Sequence, residues 1–385
     1  MCAFVAHAKP NIIFIMVDDL GKDWISCYGA DNIQTPHIDA LAKGGMKFHN
    51  AWSMPQCTPT RATLLTGQYP WRTGWVNHWD VPRWGVGYFD WAKYTTFARV
   101  MKSAGYRTAI AGKWQINDFR LEPNALEKHG FDDWCMWTGY EGGIPPSGER
   151  YQNAYIHTRA GSKTHQGKFG PDVYCDFLVD FIHANKAKPM MIYFPMVLTH
   201  GPLVPTPDEP KVTGKTARLK AMVRYTDKLV GRLVKAVDDA GIRKNTIIIF
   251  TTDNGTGGGV RGTIGGVRPS GGKASNYEGG VCEPFIVNCP GTVAAGVAVS
   301  PSASSAMSAS SAPASSPSVP AATWIVRTTP EAGASSSTFV LSVSTSTIGS
   351  PASTRSPSRF SQTLSLTDVT ESASCGRRNS MVRLI

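Results

Sequence analysis

Between residues 10 and 290 two hydrophobic patterns alternate along the chain. "NIIFIMVDD" (11–19) is an unbroken apolar run that ends in two carboxylates. Such runs mark strands covered on both faces, the habit of parallel sheets. "YRTAIAGKW" (106–114), "MMIYFPMVL" (190–198) and "NTIIIFTTDNG" (245–255) predict further strands. Thr35-Pro36 opens a helix-like "HIDALAKGG", with proline in the first turn and glycine at the close. More helices are predicted near 94–104, 172–186 and 216–240, the last carrying Leu219, Met222, Val223, Leu229, Leu233 and Val237 on a helical period. Strand and helix in alternation predict an α/β sheet with helices on both faces. Ligands of such sheets sit beyond the carboxyl ends of the strands. Asp18, Asp19, Lys113, His200, Asp253 and Asn254 all fall at or just after those ends, which points to a single site.

Near residue 290 the patterning stops. Residues 291–385 hold 25 serines, no lysine and no tyrosine, and "SASSAMSASSAPASSPS" has neither helical nor strand period. A mucin-like or linker segment is one reading. Out-of-frame translation, from a single-base frameshift near codons 290–300, is the other, and the abruptness of the change favours it. Either way the tail lacks the apolar content of a second domain. At the other end, Ala6-His7-Ala8 fits a small-residue cleavage site, so residues 1–9 read as a signal-peptide remnant or a frayed N-terminus. The first reading places the protein in the periplasm or outside the cell. Residues 10–290 are then the catalytic part.

Composition narrows the function classes. The chain has 385 residues, 42% of them hydrophobic, enough for a sizeable core. The formal net charge of +11 is spread out rather than blocked, which suits anionic substrates. Without a Lys/Arg run or a nucleic-acid motif, nucleic acid is not an expected partner. The eight cysteines form no CxxC pair and fit no zinc spacing. No apolar run approaches the roughly 18–20 residues of a spanning helix.

Two adjacent carboxylates at a buried strand end repel each other and lose hydration unless something positive joins them. A hard divalent cation answers that need. Asp18, Asp19, Asp253 and Asn254 make an oxygen-only set, suited to Ca²⁺ or Mg²⁺ rather than zinc. Helix capping and a turn are the plainer readings of the same residues. In "MPQCTPTRATLLTGQYP" (54–70), Thr58 and Pro59 are expected to begin a helix that Gly67 stops. Cys57, just before it, faces unpaired N–H groups and a positive dipole end. Arg61 lies one turn in. A lone cysteine is otherwise a small buried hydrophobe. Lys113, His200 and Lys273 add cations, or are simply solvated.

Five blocks in order carry a family resemblance: "PNIIFIMVDDLG", "CTPTR" (a C-x-P-x-R element), "GYRTAIAGKWQ" (105–115), "TDNG" and "NYEGGVCEP". Over about residues 10–290 the chain resembles the type I, formylglycine-dependent sulfatases, close to the arylsulfatases. The resemblance implies an alkaline phosphatase-like α/β sandwich with a mixed, mostly parallel sheet. It implies that a formylglycine-generating enzyme oxidises Cys57, read through Pro59 and Arg61, to an aldehyde whose hydrate attacks sulfur and then expels sulfate. It also implies that Asp18, Asp19, Asp253 and Asn254 bind Ca²⁺ together with the modified Cys57. Arg61 would steady the hydrate, Lys113 and Lys273 would hold the sulfate, and His200 would assist the leaving alcohol. Two positions depart from the pattern: Gln115 replaces the usual histidine after G-K-W, and Cys282 the usual arginine of the last block. The family's C-terminal subdomain, with its small antiparallel sheet, is missing or scrambled in the tail. The expected activity is sulfate ester hydrolysis on a sulfated small molecule or polysaccharide. A phosphonate or phosphate ester hydrolase, or an inactive protein that binds sulfated ligands, are the alternatives. The tryptophan-rich "NHWDVPRWGVGYFDW" (77–91) could stack on sugar rings or pack onto the domain.

Overall fold

In the computed structural model "NIIFIMV" is the central strand, β1 (Asn11–Val17). Ile13, Ile15 and Val17 enter one hydrophobic core and Phe14 and Met16 the other, so both faces of this strand are apolar. The structure describes residues 9–84 and 87–300 in full, with the backbone alone of Ala321–Thr329, Thr338–Ser346, Phe360–Leu366 and Arg383–Leu384. The expectations for residues 1–8 and for the serine-rich stretch 301–320 lie outside the described residues.

The strands that follow up to residue 300, in chain order, are β2 (Met46–Trp52), β3 (Arg107–Lys113), β4 (Asp133–Trp137), β5 (Tyr155–Thr158), β6 (Gly161–Thr164), β7 (Met190–Pro195), β8 (Thr246–Thr252), β9 (Cys282–Asn288) and β10 (Val297–Val299). The order β8-β1-β7-β3-β4 is parallel throughout. Antiparallel β9 and β2 extend it past β8, and antiparallel β5 and β6 past β4. The sheet is thus mixed and mostly parallel at its centre. Ala321–Thr329 continues it beyond β2.

The helices used below are α1 (Pro36–Lys43), α2 (Cys57–Thr66), α3 (Pro70–Thr73), α4 (Val81–Trp84), α5 (Phe97–Ser103), α6 (Ala125–Lys128), α7 (Gly170–Asn185) and α8 (Lys215–Asp239). Ile38 of α1, Tyr174 and Leu178 of α7, and the predicted stripe of α8 pack on the Ile13/Ile15/Val17 face. Leu64 and Leu65 of α2 and Phe97 and Met101 of α5 cover the opposite face. Burying each such side chain contributes about 1.5–3 kcal/mol. Helices therefore lie on both faces, as the alternation predicts. The run 190–198 is strand only to Pro195. Beyond it Met196 N donates to Met16 O (2.8 Å), Asp18 N to Leu198 O (2.8 Å) and Thr199 N to Asp18 O (2.6 Å). These bonds carry the chain past the end of β1 and leave His200 beside it.

Gly112 fixes how the ends of β3 and β7 meet. Its φ is 120°, and a Cβ there would lie 2.0 Å from Pro195 O. Backbone, not a flexible side chain, blocks the space. Gly112→Ala should therefore destabilise the fold by about 2 kcal/mol or more. Thermal unfolding checks this; an unchanged melting temperature would show that the strands separate freely here.

Candidate active site

The strand ends converge as the sequence predicts. Asp18 and Asp19 follow β1, Lys113 ends β3, and Asp253 and Asn254 follow β8. Asp18, Asp253 and Asn254 are fully buried, and Asp19 nearly so. Asp19 takes a left-handed backbone (φ 58°), which turns the chain sharply out of the strand.

Helix α2 brings the next group. It begins at Cys57 itself, one residue before the expected start, with Gln56 in extended backbone as its N-cap residue. Gly67 closes it in the left-handed region, as expected of a C-terminal glycine. Cys57 therefore occupies the first helical position, where N–H groups lack helical partners. Arg61, one turn in, is buried and donates through Nε (2.9 Å) and Nη2 (2.7 Å) to Asp253 Oδ2, with Nη2 3.3 Å from Asp18 Oδ2. Thr60 Oγ1 donates to Asp253 O (2.7 Å), tying the same helix to the end of β8.

Two lysines complete the set. Lys113, far from solvated, is buried with Nζ 2.6 Å from Asp18 Oδ2. Lys273 Nζ lies 2.7 Å from Asp19 Oδ1. Asn254 Nδ2 donates to Asp19 Oδ1 (2.8 Å), and His200 Nε2 is 3.8 Å from Asp19 Oδ2. Ligand atoms of Asp18, Cys57 and Asp253 lie within 4.8 Å of one another, and so do those of Asp18, Asp19 and His200. Gln115 sits just past β3 and directs Nε2 toward Asp80 Oδ2 (3.4 Å). Cys282, at the start of β9, lies 3.0 Å from Lys22 Nζ.

The residues present fit a hard cation. The positive groups crowd onto Oδ2 of Asp18 and Asp253, while the buried Asp18 Oδ1 and Asn254 Oδ1 have no hydrogen-bond partner. Arg61 Nη1 is also unpartnered, but it is a donor; the two orphaned oxygens are what a divalent ion takes. The carboxylates carry the same message. Burial and the Asp18 charge push Asp19 up to about 7, despite Lys273. Burial and Asp18 raise Asp253 as well, against Arg61. Burial would raise Asp18 too, but Lys113, Arg61 and Lys273 together hold it well below the usual carboxylate range. Burial pushes the Cys57 thiol up, so it stays protonated and is a poor nucleophile as it stands.

Several functional neighbours carry no sequence signal, because isolated loop residues have no period or motif. His78 Nδ1 lies 3.4 Å from Cys57 Sγ. Burial, Lys113 and Lys273 push this ring down to about 4, so it is neutral near pH 7. Arg150 Nη1 lies 3.1 Å from His200 Nδ1, and Gly201 O is 2.8 Å from the same nitrogen. The guanidinium can only donate and the carbonyl can only accept, so the two contacts call for opposite tautomers and Nδ1 serves one of them at a time, while Nε2 faces Asp19. Burial and then Lys113 hold the ring neutral. Asp80 and Glu283 are buried carboxyls nearby, and burial pushes Glu283 up to about 8.

The family model described as "Sulfatase" matches residues 10–318. N-acetylgalactosamine-6-sulfatase of Rattus norvegicus is 30% identical over 322 residues, covering 76% of this chain and 59% of the relative. N-acetylgalactosamine-6-O-sulfatase of Bacteroides thetaiotaomicron is 31% identical, covering 74% of this chain and 68% of the relative. The chain thus spans about three fifths of the length of the mammalian relatives it matches. Among solved structures, Ps i-CgsB superposes with a TM-score of 0.65 at 27% identity, covering 76% of this chain and 68% of that one. A further structure of that protein holds a neocarrahexaose.

A pH dependence follows from Asp19. Its pKa rises from 3.8 to about 7 on folding of the metal-free protein. A raised carboxyl contributes stability that is full below the lower value and lost as pH climbs through the upper one. Asp19→Asn should therefore gain stability relative to wild type as pH rises from about 4 to about 7. Urea unfolding of both proteins without metal measures the difference; a constant difference, or the opposite slope, would contradict the assignment.

Proposed function

Since the chain belongs to the sulfatase family, we propose that it hydrolyses sulfate esters at the site formed by Cys57 and the strand-end cluster. One observation carries this reading: the Cys57 side chain opens α2 within reach of the Asp18 and Asp253 carboxylates. A buried, protonated thiol has no evident use there, whereas an oxidised one does. We take Cys57 to be matured to formylglycine, through recognition of Pro59 and Arg61 by a formylglycine-generating enzyme. That group supplies a nucleophilic hydroxyl and a second one whose loss of a proton releases sulfate. Asp18, Asp19, Asp253 and Asn254 would hold Ca²⁺, with Mg²⁺ the alternative, and the ion would polarise sulfuryl oxygens.

The chain's own groups divide the remaining work. Arg61 fixes Asp253 and Asp18 in place and presents charge toward position 57. Lys113, pinned on Asp18, and the more exposed Lys273 bracket the site from β3 and from the loop before residue 278, where they can bind a sulfate group. His200, with Nε2 toward Asp19, can assist the leaving alcohol as an acid or bind the sulfate group. Gln115 hydrogen-bonds but does not titrate, so it takes no part as a base. The substrate class we favour is a sulfated sugar. Trp71, Trp84, Tyr88 and Tyr277 are exposed aromatics suited to stacking, and the net charge of +11 draws polyanions.

Among the described residues no helix is long and apolar enough to cross a membrane. A periplasmic or secreted location remains our proposal from residues 1–9. Position 290 remains the proposed edge of the catalytic part, although the family match runs on to 318. The test is hydrolysis of an aryl sulfate against an aryl phosphonate, with the mass of the peptide that spans Cys57. We expect the sulfate to be the better substrate, residue 57 to be the aldehyde, and Cys57→Ala to lose about 10³-fold or more in kcat. Faster phosphonate hydrolysis would move the chain to the alternative chemistry. Metal-dependent ligand binding without turnover would make it a non-catalytic sulfate binder.

A further inference from the structure

The hydroxyl that the proposed chemistry places at position 57 must be turned toward its target, and that needs a hydrogen-bond acceptor. Four side chains offer acceptor atoms near this end of α2. Asp18 and Asp253 already receive Lys113 and Arg61 on their Oδ2 atoms. Gln115 points Nε2 to Asp80 and keeps a buried, unpartnered Oε1, but no hydrogen bond joins it to residue 57 among the described residues. The fourth is His78, whose Nδ1 lies 3.4 Å from Cys57 Sγ and 3.4 Å from Thr58 Oγ1. The thiol can donate, the Thr58 hydroxyl can donate here or to Trp79 O (3.4 Å), and Nδ1 accepts in the tautomer that carries its proton on Nε2.

His78 is held for this task. Its backbone N–H donates to Gln56 Oε1 (2.8 Å), and Gln56 is the N-cap residue of the helix that begins with Cys57. This bond ties the His78 loop to the start of the Cys57 helix. The ring stands edge-on to Trp84, with centroids 5.3 Å apart, so its rotation is restricted from the other side.

We infer that His78 is a catalytic residue of this chain, the acceptor at Nδ1 that orients the hydroxyl carried by the modified side chain of residue 57. This rests on the formylglycine reading of Cys57. The test compares His78→Phe, which keeps a ring against Trp84 but no acceptor, with His78→Asn, whose amide oxygen can stand near the place of Nδ1. Phenylalanine should lower kcat by about tenfold or more with KM little changed, and asparagine should restore most of the loss. A second readout is independent of turnover. The rate at which an aminooxy reagent labels the aldehyde of residue 57 should rise several-fold in His78→Phe and stay near wild type in His78→Asn. Melting temperatures of both variants show that they fold. Equal losses in the two variants, or loss confined to KM, would overturn the inference and leave only a packing role. Failure of the underlying reading looks different: residue 57 would be an unmodified thiol in the wild-type peptide, and no variant would be labelled.

Discussion

Three carboxylates buried within a few ångströms of one another are the constraint on which the site depends. Asp18, Asp19 and Asp253 stand at the ends of two adjacent parallel strands, where the sheet offers no water to separate their charges. Left alone, such a cluster would cost several kcal/mol per uncompensated ion. Arg61, Lys113 and Lys273 each answer one part of it, and they come from a helix, a third strand and a distant loop. The pairing holds these elements in register. It also leaves Asp18 Oδ1 and Asn254 Oδ1 unpartnered, which is where a cation belongs.

The rest of the fold serves that arrangement. Continuous apolar strands let helices pack on both faces, so the strand ends are the one place where polar groups can gather. Gly112 lets β3 approach β7 closely and sets Lys113 against Asp18. Irregular backbone after Pro195 bonds to the end of β1 and brings His200 to Asp19. Helix α2 then delivers Cys57 with its positive end first, its turn locked to Asp253 through Thr60 and Arg61. The carboxylates proposed to hold a cation and the lysines proposed to hold sulfate thus meet at the same strand ends, with residue 57 in reach of Asp18 and Asp253.

Much of this was legible in the sequence because it is periodic or blockwise. The runs 11–19, 106–114 and 245–255 carry the strand signal, and each holds its site residues, Asp18 and Asp19, Lys113, and Asp253 and Asn254, within its last three positions. Leu219 to Val237 carry the α8 stripe, and all six of those residues are buried. The antiparallel additions β2 and β9 carry no such signal, because "MKFHNAW" mixes polar and apolar positions and "CEPFIVN" follows Gly279 and Gly280, which blur its start. Lys113 looked like a solvated strand-end lysine until β1 placed Asp18 under it. His78, Asp80 and Arg150 were invisible, since a lone loop residue gains meaning only from what folding sets beside it.

That the carboxylate cluster exists to hold a divalent ion beside residue 57 is the central claim, and calorimetric titration of the purified, metal-stripped chain with Ca²⁺ tests it most directly. The account predicts one bound ion per chain, with binding lost in Asp253→Asn while the variant still folds. Wild-type protein that binds neither Ca²⁺ nor Mg²⁺, or binding that Asp253→Asn leaves intact, would contradict it.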